Sequence, residues 1–543
     1  MWSALAGAAL ACGGFFCDNA APVQQAGEQI VFAVGGGTVE MHVQVQYTGP
    51  AEEFSWLLPV PELPELLLST NDLFVRLGQV TAPQYVPTLE QQGRCYVPVR
   101  LPGNGDSDKA EDDSAADDGG VSVVEDQQVG PYDAQILTAD DVSALTTWLV
   151  DNGYDLAPGA EDKLAGYVQE GGYFVGLKLR KDRGVGDLAP VALRFSGTDP
   201  MIPLALTAVA VTDDMPLQPY VLGSARAVPE NYLHVRVNPF AVDWMTRGSN
   251  YPDVVSRAAD EAGGQAFATD FAGDVSSTGV ALWAPGQYPI AQIAQVTDSH
   301  TLDRYLAQVF PSPGGDVTWM SDPGALPLTS GTIPILARFV PSPFGAGSGR
   351  LSYLQCLSCF DPVPVDGAAL AAEWEQPMRD AQALLNSHPW LTRLTSSLSA
   401  DEMTVDPRFV LNPELPAVSN VHGAVIRTRC DPSHQVSGAP RELILDDGRA
   451  MALPSAWDWA RGGWTWEEWA GEAGGYAAEV VEQVGRSGQP TVVTDNRAAI
   501  DGALVGLDSG CGCDGTGRAS GSTVAVLAAL LAAHRRRRGV GSC

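Results

Sequence analysis

Positive charge is scarce in this chain. Against 65 Asp and Glu there are 32 Lys and Arg, a formal net charge of −33. Such a polyanion repels phosphate backbones, whose affinity for proteins rests on Lys and Arg, so nucleic acid is not an expected partner. Histidine is sparse as well, with seven in 543 residues and none in an HExxH or HxH pattern. The GxSxG turn that exposes a serine nucleophile is missing; the nearest Gly/Ser stretches, 222–226 and 345–349, lack its spacing. Cys356 and Cys359 have the spacing of a zinc or redox pair, but no second Cys or His pair stands at suitable spacing to complete a metal site. No motif calls for a cofactor. The apolar run at the C-terminus, 523–533, is shorter than the roughly 20 residues of a spanning helix.

What the chain does have is apolar surface and turn residues. Apolar types make up 45% of it, with 13 Trp, 58 Gly and 39 Pro. The length accommodates two to four domains. Few long helical patterns occur, and the balance predicts an α+β, β-rich fold of largely antiparallel, sandwich-like sheets with short packed helices. Residues 29–34 and 38–47 flank Gly35-Gly36-Gly37, and Val39, Met41, Val43, Val45 and Tyr47 alternate with Glu40, His42, Gln44 and Gln46. That is a hairpin with a half-buried strand, and it puts His42 on the solvated face. Further strands are expected at 54–61, 173–179, 191–195, 204–211, 289–296, 317–320 and 332–339. Helices are expected at 71–79, 142–152 behind a capping-box-like start at Thr138-Ala-Asp-Asp141 with Asp in place of Glu or Gln, 161–169, 254–261, 302–310, 367–387 and 474–484. The strand–cap–helix order of 289–310 echoes 134–152, as in a loose internal duplication. A hairpin at 442–453 turns on Asp446-Asp447-Gly448.

The domain boundaries suggested by these patterns are 12–245, 246–435 and a small Trp-rich unit at 436–508. Within the first, 102–127 carries nine acidic residues against Lys109 and cannot bury enough surface to offset its ordering entropy; it reads as a disordered acidic loop. Asp106-x-Asp108-x-x-Glu111 lacks the glycine and distal glutamate of a calcium loop. Cys12, Cys17, Cys95, Cys356, Cys359 and Cys430 are an even set outside the tail, read as three disulfides of open connectivity. Cys356 is expected to pair locally or with Cys430. Asp406 to His422 packs Asp, Ser, Asn and His closely, but its prolines suit a wrapped loop better than a site. Trp457, Trp459, Trp464, Trp466 and Trp469 form the densest aromatic cluster. Exposed, they are candidates for stacking on the sugar rings of an envelope polysaccharide; otherwise they are the core of a small subdomain.

The termini point outward from the cell. Residues 4–11 are apolar and small, and Ala9-Leu10-Ala11 before Cys12 resembles a signal-peptide cleavage site, although no Lys or Arg precedes it. A lipobox ending at Cys12 is the weaker reading. At the other end, Cys511-Gly512-Cys513, a Gly-rich linker, the short apolar run and Arg535, Arg536, Arg537 and Arg538 stand in that order. Together, 509–543 resemble the MYXO-CTERM sorting tail. The resemblance implies processing near Cys511 or Cys513, the other cysteine being a lipid attachment point, with the arginines held on the cytoplasmic side. Cys543 fits no part of that pattern.

Several stretches also resemble one family. They are Cys12-Gly-Gly-Phe-Phe-Cys17, Gln25-Ala-Gly-Glu-Gln-Ile-Val-Phe32, Phe54-Ser-Trp-Leu-Leu-Pro-Val-Pro61, Val129-Gly-Pro-Tyr132, and Trp390-Leu-Thr-Arg-Leu394 with Asp401-Glu-Met403. In this order they are similar to the exported bacterial proteins of the domain of unknown function 2330, over Cys12 to about His422. The resemblance implies an envelope-associated protein with no assigned activity and no catalytic residues to carry over; the acidic insert is a departure from it. The sequence thus points to an exported, surface-anchored structural or adhesion module without catalysis. Its partners would be the membrane through the tail, the export and sorting machinery, and envelope polysaccharide. The alternative is an exported hydrolase that cuts a glycan with paired carboxylates.

Overall fold

Gly36 and Gly37 sit at φ of 63° and 80°, values open to glycine and strained for other residues. They close the expected hairpin, β1 (Gln24–Gly35) against β2 (Thr38–Thr48). The computed structural model describes residues 24–48, 55–95, 127–154, 156, 159–179, 189–209, 211–282, 290–309, 332–340, 353–354, 357–433, 435–462, 465–471 and 473–508. The acidic insert, the stretch 317–320 and both termini lie outside them.

The remaining strands are β3 (Ser55–Val60), β4 (Glu65–Leu68), β5 (Gln84–Gly93), β6 (Gln127–Val129), β7 (Tyr132–Thr138), β8 (Tyr173–Leu179), β9 (Val191–Ser196) and β10 (Met215–Gly223). They continue as β11 (Arg226–Pro229), β12 (Leu233–Val237), β13 (Ala266–Asp274), β14 (Trp390–Leu398), β15 (Phe409–Asn412), β16 (Val421–Cys430), β17 (Arg441–Leu445), β18 (Ala450–Leu453), β19 (Ala478–Gln483) and β20 (Thr491–Asp495). Ten of them form one sheet in the order β20-β19-β12-β13-β14-β10-β1-β2-β9-β4. β3-β8-β7-β6 and β18-β17-β16-β5 make two four-stranded sheets, and β11 pairs with β15 alone.

The architecture is β-rich, as expected, but its sheets are mixed. β1 runs parallel to β10, β12 to β13, and β5 to β16. The large sheet also takes strands from all three of the spans 12–245, 246–435 and 436–508, so those boundaries do not separate independent sheets. The reason is that both faces of its central strands are covered. In β1, Ile30, Phe32 and Val34 enter one core while Val31 and Ala33 enter another. The first core lies against the β3-β8-β7-β6 sheet, through Trp56, Leu58, Val175 and Leu177. Leu57, Leu137 and Phe174 on the outer face of that sheet hold the helices Val142–Asp151 and Ala160–Glu170, the antiparallel sheet with a helical pair that the patterns predict. On the other face of the large sheet lie the helices Asn71–Thr81, Ser299–Val309 and Gln376–Ser387. A third core joins the β18-β17-β16-β5 sheet and the helix Tyr251–Glu261.

Four segments differ from the sequence reading. Residues 204–211 hold a short helix, Leu204–Thr207, whose Ala205 N–H donates to the Asp406 carboxylate. Residues 290–295 form a 3₁₀ turn in place of a strand, which removes the supposed duplication. Thr332–Phe339 is a helix; an apolar run of that length fits either state, and Pro334 lies in its first turn, where proline is tolerated. Within 474–484 the helix formers are overridden: Ala478–Gln483 is a strand, fixed between β12 and β20.

One disulfide is fully described: Cys95 bonds Cys430, 335 residues apart, fastening the ends of β5 and β16. It excludes a Cys356–Cys430 pair. Cys359 is disulfide-bonded too; Cys12, Cys17 and Cys356 lie outside the described residues.

Candidate functional site

The described residues with the chemistry of a site sit on the large sheet, and a break in its register places them. β13 slips against β14 between Thr269 and Phe271, so Asp270 is an extra residue. Such bulges re-aim side chains. Thr269 and Asp270, neighbours in sequence, enter two separate networks.

In the first network three adjacent strands each contribute one side chain. His234 on β12 stands directly opposite Glu482 on β19. Its Nδ1 lies 2.9 Å from the Glu482 carboxylate, and its Nε2 lies 2.9 Å from the Thr269 hydroxyl. With Glu482 accepting from Nδ1–H, Nε2 is left to accept from Thr269. Arg226, on β11, donates to the same hydroxyl at 3.2 Å and lies 3.5 Å from Nε2. His234, Glu482 and Arg226 are 3%, 6% and 8% exposed, whereas Thr269 is only half-buried. Burial first, and then the Arg226 charge, hold the imidazole below its usual pKa despite Glu482. Burial pushes the Glu482 carboxyl up, but the bond and charge of His234 outweigh it and leave the group below its ordinary value. Burial also depresses the Arg226 guanidinium, and its Nε has no acceptor among the described residues.

The second network centres on Asp270, which is 2% exposed. Its carboxylate accepts from Tyr251 and Thr395 and pairs with Arg393 at 3.0 Å. Arg393 lies over the Tyr220 ring and donates to the Gly78 carbonyl and the Thr81 hydroxyl, at the end of the helix Asn71–Thr81. Burial is the largest influence on Asp270 and raises its pKa against these partners. His422 stacks on Tyr85 at 4.7 Å beside this network, and burial lowers its pKa. The stretch 406–422 does not assemble one site: Asp406 accepts from Tyr167 and from Ala205 N–H, whereas His422 stacks on Tyr85.

His42, expected in solvent, is 2% exposed and forms a third network. Its ring nitrogens meet Ser69 Oγ at 2.7 Å and Glu40 at 3.1 Å, and Glu40 also pairs with Arg194 at 2.8 Å. The polar face of β2 is covered because Ser69 and the helix that follows lie over it. Burial works against the charge of Glu40, yet His42 and Arg194 outweigh it and keep the carboxyl below its usual range.

The tryptophan row does not stand out as one surface. Trp466 is 4% exposed and donates its indole N–H to the Phe240 carbonyl. Trp469 donates to the Ala452 carbonyl, and Trp459 meets Trp466 edge-on at 6.4 Å. Trp464 and the side chain of Trp457 lie outside the described residues, as do Cys511, Cys513 and Arg535 to Arg538. Among the described residues, no group of three or more His, Cys, Asp and Glu is placed to hold a metal ion, and no helix is long and apolar enough to cross a membrane. The sequence reading missed the first two networks. His234 and Glu482 are 248 residues apart and Arg393 and Asp270 are more than a hundred apart, so no local spacing announces them.

These features define a class of protein: a large mixed-sheet scaffold with charged networks buried within it and a long-range disulfide. The chain belongs to the bacterial family described as "Uncharacterized protein conserved in bacteria (DUF2330)", whose model matches residues 6–309. The match stops short of the motifs at 390–403. No curated protein matches the chain. Among solved structures, baculovirus P35 is 14% identical, with 38% of this chain and 66% of that one covered and a TM-score of 0.22. The caspase-8/P35 complex is 11% identical, with 39% and 76% covered and a TM-score of 0.21. Likeness at that level transfers neither fold nor activity.

Proposed function

We propose that this is an exported, surface-anchored protein of the bacterial envelope whose main role is structural or binding. The observation that carries the reading is the Cys95–Cys430 bond, because disulfides persist in oxidising compartments and are rare in the cytosol. The bonded state of Cys359 adds to it. The order of Cys511, Cys513, apolar run and Arg535 to Arg538 supports anchoring and a topology with the body outside. The strong negative charge supports solubility in that setting. The networks just described favour scaffold over glycan hydrolase: their carboxylates are held by Arg, His and Tyr partners within the packed sheets.

The test is intact-mass analysis of the protein purified from its native envelope. The expected species lacks everything after about Cys513 and carries an added lipid mass. A chain that still ends in Arg535 to Arg538 and beyond would defeat the sorting reading. Thiol labelling under denaturing, non-reducing conditions should find none of Cys12, Cys17, Cys95, Cys356, Cys359 and Cys430 free; two or more free thiols would defeat the stapled exterior.

A further inference from the structure

The first network has an arrangement that packing alone does not require. A hydroxyl, an imidazole and a carboxylate follow one another at 2.9 Å and 2.9 Å, through opposite ring nitrogens of the imidazole. This is the relation of nucleophile, base and orienting acid in acyl-transfer enzymes, which is recognised by geometry and not by order in the chain. We propose that Thr269, His234 and Glu482 form an acyl-transfer triad, with Arg226 facing the charge that develops on the substrate carbonyl, acting on short-chain O-acyl esters.

Four observations select this cluster over the other histidine network. Thr269 is half-buried while its three partners are almost fully covered, so the nucleophile is the member that a substrate reaches. Ser69, the hydroxyl partner of His42, is 3% exposed and has no such access. His234 is held neutral near neutral pH by its burial and by the Arg226 charge, so Nε2 is free to take a proton. Arg226 is a buried cation with no carboxylate in bridging contact among the described residues, and its Nε has no acceptor. A buried guanidinium held only by neutral acceptors, the Thr269 hydroxyl and the Pro416 carbonyl, is costly, and an oxyanion beside Thr269 is the anionic partner that it lacks.

The reaction balances with water as the only co-reactant. Thr269 Oγ bonds to the ester carbonyl carbon as its proton passes to His234 Nε2, and the carbonyl electron pair moves onto oxygen beside Arg226. The carbon–oxygen bond to the alcohol breaks, and the alcohol leaves with the proton from Nε2. Water repeats the sequence on the acyl-threonine: its proton goes to Nε2, its oxygen to the carbonyl carbon, and Thr269 Oγ recovers a proton as it departs. The products are an alcohol and a short carboxylic acid. Esters are the readier substrates because the nitrogen lone pair of an amide is delocalised into its carbonyl and makes that carbon less electrophilic. A short acyl chain is favoured because Arg226 and His234 beside Thr269 are both less than a tenth exposed.

The inference goes beyond the envelope reading and does not depend on it; failure of the triad leaves the intact-mass test unaffected. The experiment treats the folded, full-length protein with a fluorophosphonate probe, maps the adduct by peptide mass, and follows hydrolysis of p-nitrophenyl acetate. One adduct is expected, on Thr269. Thr269→Val, which keeps the shape of the side chain, should lose the adduct and at least about a hundredfold of the esterase rate, the usual scale for loss of base-assisted attack. Thr269→Ser should keep both, and His234→Asn should lose both. Circular dichroism of each variant separates lost chemistry from lost fold. No adduct on the folded protein, an adduct elsewhere, or an unchanged rate in folded Thr269→Val would overturn the proposal.

Discussion

Arg393 shows how much one side chain can carry. It neutralises a carboxylate with almost no access to water and also binds the last turn of the helix Asn71–Thr81. Removing one member of such a pair is far more damaging than removing both, because the survivor is left charged and unpaired. Arg393→Met should therefore cost about 3–5 kcal/mol in urea unfolding. Adding Asp270→Asn should return part of that, a coupling that a double-mutant cycle reads directly. His234 makes a separate statement about acid. Its folded pKa lies below the ordinary 6.5, so the unfolded chain binds the extra proton first and stability falls as pH drops below that value. Glu482, held below its ordinary 4.5, extends the loss further down. Asp270 acts in the opposite sense, its raised pKa favouring the folded state as acid is added. The urea midpoint should decline on acidification from neutral pH through 6.5, and His234→Gln should flatten the upper part of that decline. A midpoint that rises over this interval would contradict the assignment.

Among the elements, the end of the β5–β16 pair is the most tightly specified. Gly93 has φ of 88°, and a Cβ there would lie 2.2 Å from the Cys430 carbonyl oxygen. Gly93→Ala should thus cost more than about 1 kcal/mol, by strain on the backbone as well as by contact. It should also slow oxidation of Cys95 with Cys430, followed by gel shift during refolding. The β1–β2 hairpin was legible in advance because its alternation and its glycines are local signals. So were the helices Asn71–Thr81 and Val142–Asp151; in the second, the Asp141 side chain accepts from Ser143 N–H. The failures share one cause. Ala478–Gln483 and Thr332–Phe339 are short and rich in residues that suit more than one state, and distant partners decide them. His42 was misplaced for a related reason: alternation gives the two faces of a strand but not what lies on each. The first two networks were invisible because their central pairs, His234 with Glu482 and Asp270 with Arg393, join remote segments, and only the tryptophan row and the cysteines advertised themselves by density.

For the whole molecule, the disulfide spans more chain than any local contact does. Loop-closure reasoning assigns the largest stabilisation to such long crosslinks, so replacing both Cys95 and Cys430 by alanine should cost about 2–5 kcal/mol in thermal or urea unfolding. The loss should appear with little change in native circular dichroism, since the bond fastens the ends of strands already paired over ten residues. The order of the large sheet has a different consequence. Its central strand β10 lies between β1, from the start of the chain, and β14, from residues 390–398. β12 likewise waits for β19, made some 240 residues later. A chain emerging from the ribosome therefore cannot complete this sheet until nearly all of it has been synthesised. Folding is deferred by topology, in keeping with the slow kinetics of proteins rich in distant pairings. Under the export proposed above, that delay would give a translocation channel time to receive the chain while it is still threadable.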